Sequence, residues 1–183
     1  ITEMKKDALE IVLNWTTQEL PNLSEVYESE KSVSVWDSDL PHLEITGKID
    51  LAEQIEEGVV KVTDFKTGGL KKKTEIEKET DEGRMSDMMR QLAMYSYLID
   101  RKTVGNTRVL ESKLAFVEHL DEKDSVYSTE VTSDHMKSLL KDINDFDQLL
   151  SSGEWIDRPC RFKAWKSGEV CEYCKLAEIY KEK

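Results

Sequence analysis

Apolar positions recur at helical spacing through Thr2–Leu20, where Met4, Ala8, Ile11, Val12 and Trp15 form one stripe that stops before Pro21. The pattern then changes to alternation. Lys31–Asp37 reads as a strand, with Leu43–Leu51 its partner across a turn at Ser38–Pro41. Ile49–Gly68 reads as two strands around Glu56-Glu57-Gly58, the second being the β-branched run Val59–Lys66. Leu70–Gly83 is polar without clear periodicity and predicts a mobile loop. Helical spacing returns in Arg84–Arg101 through Met88, Leu92, Tyr95 and Leu98 or Ile99. Arg108–Leu120 and Ser125–Val131 follow as strands of a hairpin turning at 121–124, and an amphipathic helix then runs from Thr132 to near Ser152. The sum predicts an α/β domain, a mixed central β-sheet of about five strands flanked by helices.

Alternation along Val59–Lys66 sends Asp64 and Lys66 out of one face, in line with Val60 and Val62. A carboxylate and an ammonium following two apolar residues on one face of a central strand are costly without a purpose. With Asp50 across from them, two carboxylates and one amine converge. Mg²⁺ prefers oxygen ligands and is usually held by one or two carboxylates plus substrate phosphates. A surface hairpin with an ordinary Asp–Lys pair accounts for those three residues equally well, because D-x-K alone is common. If the carboxylates are adjacent they repel, and Asp64→Asn is then expected to raise the stability of the metal-free protein. Gln91 and Tyr95, four apart, share a helix face.

Taken together, G-x-I-D at Gly47–Asp50, D-F-K-T-G at Asp64–Gly68 and Q-L-x-x-Y at Gln91–Tyr95 resemble the RecB-like branch of the PD-(D/E)XK nuclease superfamily. That branch includes the nuclease domains of RecB and AddAB helicase–nucleases and a group of CRISPR-associated exonucleases. The resemblance covers roughly Glu30 to Tyr97 and implies a restriction-endonuclease-like core. It implies metal-dependent hydrolysis of DNA, with Mg²⁺ or Mn²⁺ held by Asp50, Asp64 and the main-chain carbonyl of Phe65. Lys66 is then the catalytic lysine, and Gln91 and Tyr95 support the site and contact DNA. The implied partners are DNA, mostly single-stranded ends, and a helicase domain or subunit. Relatives often carry G-x-x-x-H on a helix ahead of the first strand. No match occurs here, and His42, beside Pro41, reads as a surface residue. Glu30 precedes the first strand where relatives often have an acid.

The formal net charge of −12 changes this picture, since proteins that grip DNA through counterion release usually present basic surfaces. An isolated domain of this charge is expected to bind DNA weakly, and a nuclease fold serving only for DNA binding or assembly is the alternative. Lys71, Lys72 and Lys73 form the sharpest basic cluster and are candidates for the phosphate backbone, or simply a solvated run. His119 reads as a residue near a strand end with a structural or exposed role.

The domain reading is 1–158 for the nuclease and 159–183 for a tail that contains all three cysteines, Cys160, Cys171 and Cys174. Cys171-Glu-Tyr-Cys174 has the spacing of half a zinc or iron–sulfur site. Several relatives close a [4Fe–4S] cluster with C-x₂-C-x₅-C, but the final position here is Tyr180, and three thiols do not close a four-cysteine site. Few cysteines and no long apolar run point to a soluble, cytoplasmic protein. The chain starts at Ile1 and is read as a fragment of a longer polypeptide. No G-x-x-x-x-G-K occurs, so these residues encode no nucleotide-driven motor.

Overall fold

The computed structural model describes residues 2–102, 107–156 and 171–181. Five strands, β1 (Tyr27–Trp36), β2 (Glu44–Glu56), β3 (Val59–Lys66), β4 (Arg108–Phe116) and β5 (Val126–Thr129), form one sheet in chain order. Three of the pairings are antiparallel and β3–β4 is parallel. A parallel pair cannot be closed by a tight turn. The crossover between β3 and β4 carries the short helix α2 (Lys73–Ile76) and the long helix α3 (Asp87–Lys102). Helix α1 (Thr2–Gln18) precedes the sheet, and α4 (Ser133–Ser152) and α5 (Glu172–Lys181) follow it. The mixed five-stranded sheet with flanking helices matches the α/β architecture expected from the periodicities.

Alternation along β3 decides what each face carries. Phe65 points away from its neighbours and meets the Trp15 ring of α1 edge-on, centroids 5.5 Å apart. Asp64 and Lys66 point the other way and meet side chains of α3. Val62, Leu114 and Phe116 line that face and are essentially inaccessible, as are Leu92 and Leu98 of α3. Because α3 is buried from Leu92 to Ile99, apart from the half-buried Met94, it is a core helix rather than a surface one. The face toward α1 carries a buried charge, Glu53, matched by Lys61 at 3.1 Å and by the Ser24 N–H at 3.2 Å.

Several boundaries depart from the periodicity. Leu43–Leu51 and the first half of Ile49–Gly68 are one continuous strand, β2, because β1 and β3 both pair with it. Glu30 lies inside β1 rather than ahead of it. Arg108–Leu120 stays extended only to Phe116 and then tightens into a 3₁₀ turn at Val117–His119. Among the described side chains of α1, which do not include Met4, Ile11, Asn14 and Trp15 are half-buried, while Ala8 and Val12 are exposed together with Leu9 and Leu13. The segment 70–83 is folded down. Ile76 is buried, its carbonyl accepts from the Ser86 hydroxyl, and Glu77 accepts from Tyr127. Ile76, alone in the charged run 71–83, was too weak a signal to reveal that anchor.

The chain divides into two compact units, Ile1–Leu140 and Lys141–Lys183. In the second, Trp155 of a short 3₁₀ turn meets Tyr180 of α5 edge-on at 6.3 Å. Among the described residues no helix is long and apolar enough to cross a membrane.

Candidate active site

Five of the sequence-selected residues lie around the end of β3. Asp64 is 2% exposed. Its Oδ1 accepts two hydrogen bonds, from Gln91 Nε2 at 2.6 Å and from the Tyr95 hydroxyl at 2.8 Å. Its Oδ2 has Lys66 Nζ at 2.8 Å, yet that approach lies off the hydrogen-bonding direction and Oδ2 has no hydrogen-bond partner. Lys66 donates instead to Gln91 Oε1 at 2.6 Å. The Gln91 amide therefore faces Lys66 with its oxygen and Asp64 with its nitrogen. The reverse orientation would set donor against donor and acceptor against acceptor. Gln91 Nε2 also lies 3.0 Å from the Tyr95 hydroxyl, so one amide orders three neighbours.

Burial, and then the Asp64 carboxylate that accepts its proton, push the Tyr95 phenol well above the ordinary tyrosine value, with Asp50 adding to the effect. Tyr95 is thus a neutral hydrogen-bond donor over the whole physiological range.

Asp50 is half-buried and stands one residue beyond the last in-register β2–β3 pair, Leu51 with Thr63. The strands part there, and Asp50 Oδ2 takes the place of a backbone acceptor by receiving the Phe65 N–H at 2.9 Å. On the other side the β1–β2 ladder runs through Ser29–Leu51 and Lys31–Ile49 and skips the pair between them. The skipped residue of β1 is Glu30, whose φ of 54° is left-handed. A non-glycine residue held there stores strain of about 1 to 3 kcal/mol. Glu30 is exposed and ion-paired with Lys48. Nothing in the residue pattern signalled that backbone conformation.

The donor set suits a hard divalent cation. Asp64 Oδ2 is a buried, charged oxygen lacking a hydrogen bond, and the Asp50 carboxylate is fixed next to Phe65 on the adjoining strand. Among the described residues no three acids, histidines or cysteines come together, so two protein carboxylates are the charge available. That is within the range in which Mg²⁺ is bound with water and substrate oxygens completing its shell.

Lys71, Lys72 and Lys73 are exposed, with Lys71 3.8 Å from Glu75 and Lys73 3.6 Å from Glu77. His42 is exposed. His119 contacts Glu122 through Nδ1 at 2.6 Å, and that carboxylate raises its pKa. Cys171 and Cys174 are half-buried at the start of α5, and Cys160 lies outside the described residues. A second polar cluster was not foreseen. Buried Asp37, at the end of β1, accepts the Tyr97 hydroxyl at 2.7 Å and is ion-paired with Arg101 Nε at 3.2 Å, fastening α3 to β1.

A mixed sheet with a carboxylate–lysine pair at the end of its central strand, supported by Gln and Tyr from the crossover helix, defines a restriction-endonuclease-like nuclease. Residues 1–179 match the family model of the PD-(D/E)XK nuclease superfamily, and the chain belongs to that superfamily. The RecB-like branch is consistent with it. Among solved structures, a protein from Eubacterium rectale named "Putative exonuclease" is similar in fold, with a TM-score of 0.52 and 16% identity. The match covers 93% of this chain and 59% of that one, so this chain spans less than two thirds of its neighbour. No curated protein matches the chain.

Proposed function

We propose that the chain is a divalent-metal-dependent deoxyribonuclease that hydrolyses phosphodiester bonds at DNA ends, as an exonuclease serving DNA repair or recombination. The observation that supports this most directly is the buried Asp64 Oδ2, charged and without a hydrogen bond, beside a lysine that Gln91 holds in place. Asp50, Asp64 and the main-chain carbonyl of Phe65 would hold Mg²⁺ or Mn²⁺. When bound, such an ion supplies Lewis acidity that lowers the pKa of a coordinated water and offsets charge on the phosphate. Lys66 orients the attacking water and stabilises negative charge as it develops on the phosphoryl oxygens. Gln91 fixes the direction of the Lys66 ammonium. Tyr95, which remains protonated, holds Asp64 without competing for the metal as an anion. Single-stranded ends are the proposed substrate, Lys71, Lys72 and Lys73 the proposed phosphate contacts, a helicase domain or subunit the proposed partner, and the cytoplasm the proposed location.

The test is degradation of end-labelled single- and double-stranded DNA in Mn²⁺, Mg²⁺ or EDTA, beside Lys66→Ala. Label should be released progressively from ends with either metal and not in EDTA. Lys66→Ala should lower the rate by about 10²-fold or more with an unchanged melting temperature. Cutting of circular single strands would replace the exonuclease reading with an endonuclease. A folded protein that binds DNA without cutting it would be the binding or assembly module, the alternative to which the missing G-x-x-x-H motif and the incomplete cysteine set point.

A further inference from the structure

On α3, Gln91, Tyr95 and Leu98 are spaced by four and then three residues and so occupy one stripe of the helix. Two of them hold the Asp64–Lys66 pair. The third, fully buried Leu98, rests against the backbone of β2 at Gly47. A Cβ placed on Gly47 would stand 2.5 Å from Leu98 Cδ1, closer than any real contact. Gly47 has ordinary backbone torsions, so what the position requires is the absence of a side chain rather than conformational freedom. Leu98 has no solvent to turn into, and a methyl group at 47 must be accommodated by moving the helix or repacking the core around it.

We infer that Gly47 is a positioning residue for the nuclease reaction: it lets α3 approach β2 closely enough for Gln91 and Tyr95 to reach Asp64 and Lys66. The inference rests on the nuclease reading of that cluster. Leu98 is one helical turn from Tyr95 and two from Gln91, so a displacement at Leu98 is carried along the stripe by a rigid helix. The bonds at stake are 2.6 Å from Lys66 to Gln91 and 2.8 Å from Tyr95 to Asp64. An added ångström takes both beyond useful hydrogen-bond length. Misplacement of that size in a catalytic group lowers rates by about 10²-fold.

The experiment compares wild type, Gly47→Ala, Leu98→Val and Gly47→Ala/Leu98→Val. Leu98→Val removes both Cδ atoms, including the one that would clash. Single-turnover DNA cleavage is measured in Mn²⁺, oligonucleotide affinity in Ca²⁺, and exchange protection of the Gln91 side-chain amide by nuclear magnetic resonance without metal. Gly47→Ala should cut the single-turnover rate at least tenfold with affinity changed less than twofold, and should lose Gln91 amide protection. The double variant should recover both relative to Gly47→Ala. If Gly47→Ala does not fold, the comparison of the double variant with Leu98→Val carries the test, and equal rate and protection are expected. A Gly47→Ala protein with wild-type rate and protection, or a double variant no better than the single, overturns the inference. Inactive wild type with Gln91 protection still dependent on Gly47 would refute the nuclease reading and leave the positioning intact.

Discussion

Asp64 Oδ2 is buried, and the Lys66 ammonium stands 2.8 Å from it. A second carboxylate and the Lys66 amine were both expected beside Asp64, and relief of repulsion between the carboxylates would make Asp64→Asn stabilising without metal. The geometry reverses that sign. With Asn at 64, Lys66 loses its anionic neighbour while remaining mostly buried, 24% exposed. The melting temperature of the metal-free protein should fall, by about 2 kcal/mol for charge-assisted contacts, or roughly 5 °C at this chain length. A scanning-calorimetry trace in EDTA that moves upward would restore the repulsion argument. At this scale Asp64 and Lys66 drew attention because their types are expensive on one face of a central strand, while Asp50, Gln91 and Tyr95 were singled out by the resemblance of the three motifs taken together. Their hydrogen bonds were not. That Asp50 receives the Phe65 N–H, or that Gln91 bridges Lys66 and Asp64, depends on where two strands part and how closely a helix approaches.

The elements were legible where burial follows one period. α3 and β3 were found because their apolar spacing is clean, while α2 was missed because Ile76 is its single buried residue. The union of β1 with α3 was missed because Asp37 lies 60 residues before Tyr97, and neither it nor the Tyr97 and Arg101 it meets stands out alone. That union makes stability depend on pH in a definite way. Burial, then the Asp37 carboxylate accepting its proton, push Tyr97 above the ordinary tyrosine value. Its contribution is therefore complete below the unfolded value of about 10 and is lost as pH rises above it. Burial alone would raise Asp37, but the Asp39 N–H, Tyr97 and Arg101 outweigh it and hold Asp37 below its usual value. Its contribution is complete above about pH 4 and is lost as pH falls. Urea midpoints should be flat from pH 6 to 9 and decline above 10, and Tyr97→Phe should flatten the alkaline limb. An unaltered limb in that variant would assign the decline to other groups.

For the whole molecule the governing quantity is the net charge of −12, set against a polyanionic substrate. Charge was readable in advance, but its placement was not. Lys71, two residues ahead of α2, and Lys73, its first residue, are exposed on a segment that Ile76 and the Ser86 hydroxyl fix to the body, and they pair with Glu75 and Glu77 only at 3.8 and 3.6 Å. Exposed pairs of that kind are worth little, so a phosphate can replace the glutamates at small cost. Each lysine that does so releases about one counterion and steepens the salt dependence of binding accordingly. Oligonucleotide affinity, measured in Ca²⁺ across a salt series, should therefore be weak and should fall with log salt. In Lys71→Ala/Lys73→Ala the slope should be shallower by about 1 to 2, while the cleavage rate of saturating substrate stays near that of wild type. A slope unchanged by the double substitution would mean that α2 faces away from the nucleic acid, and that contact with it comes from elsewhere in the chain or from a partner.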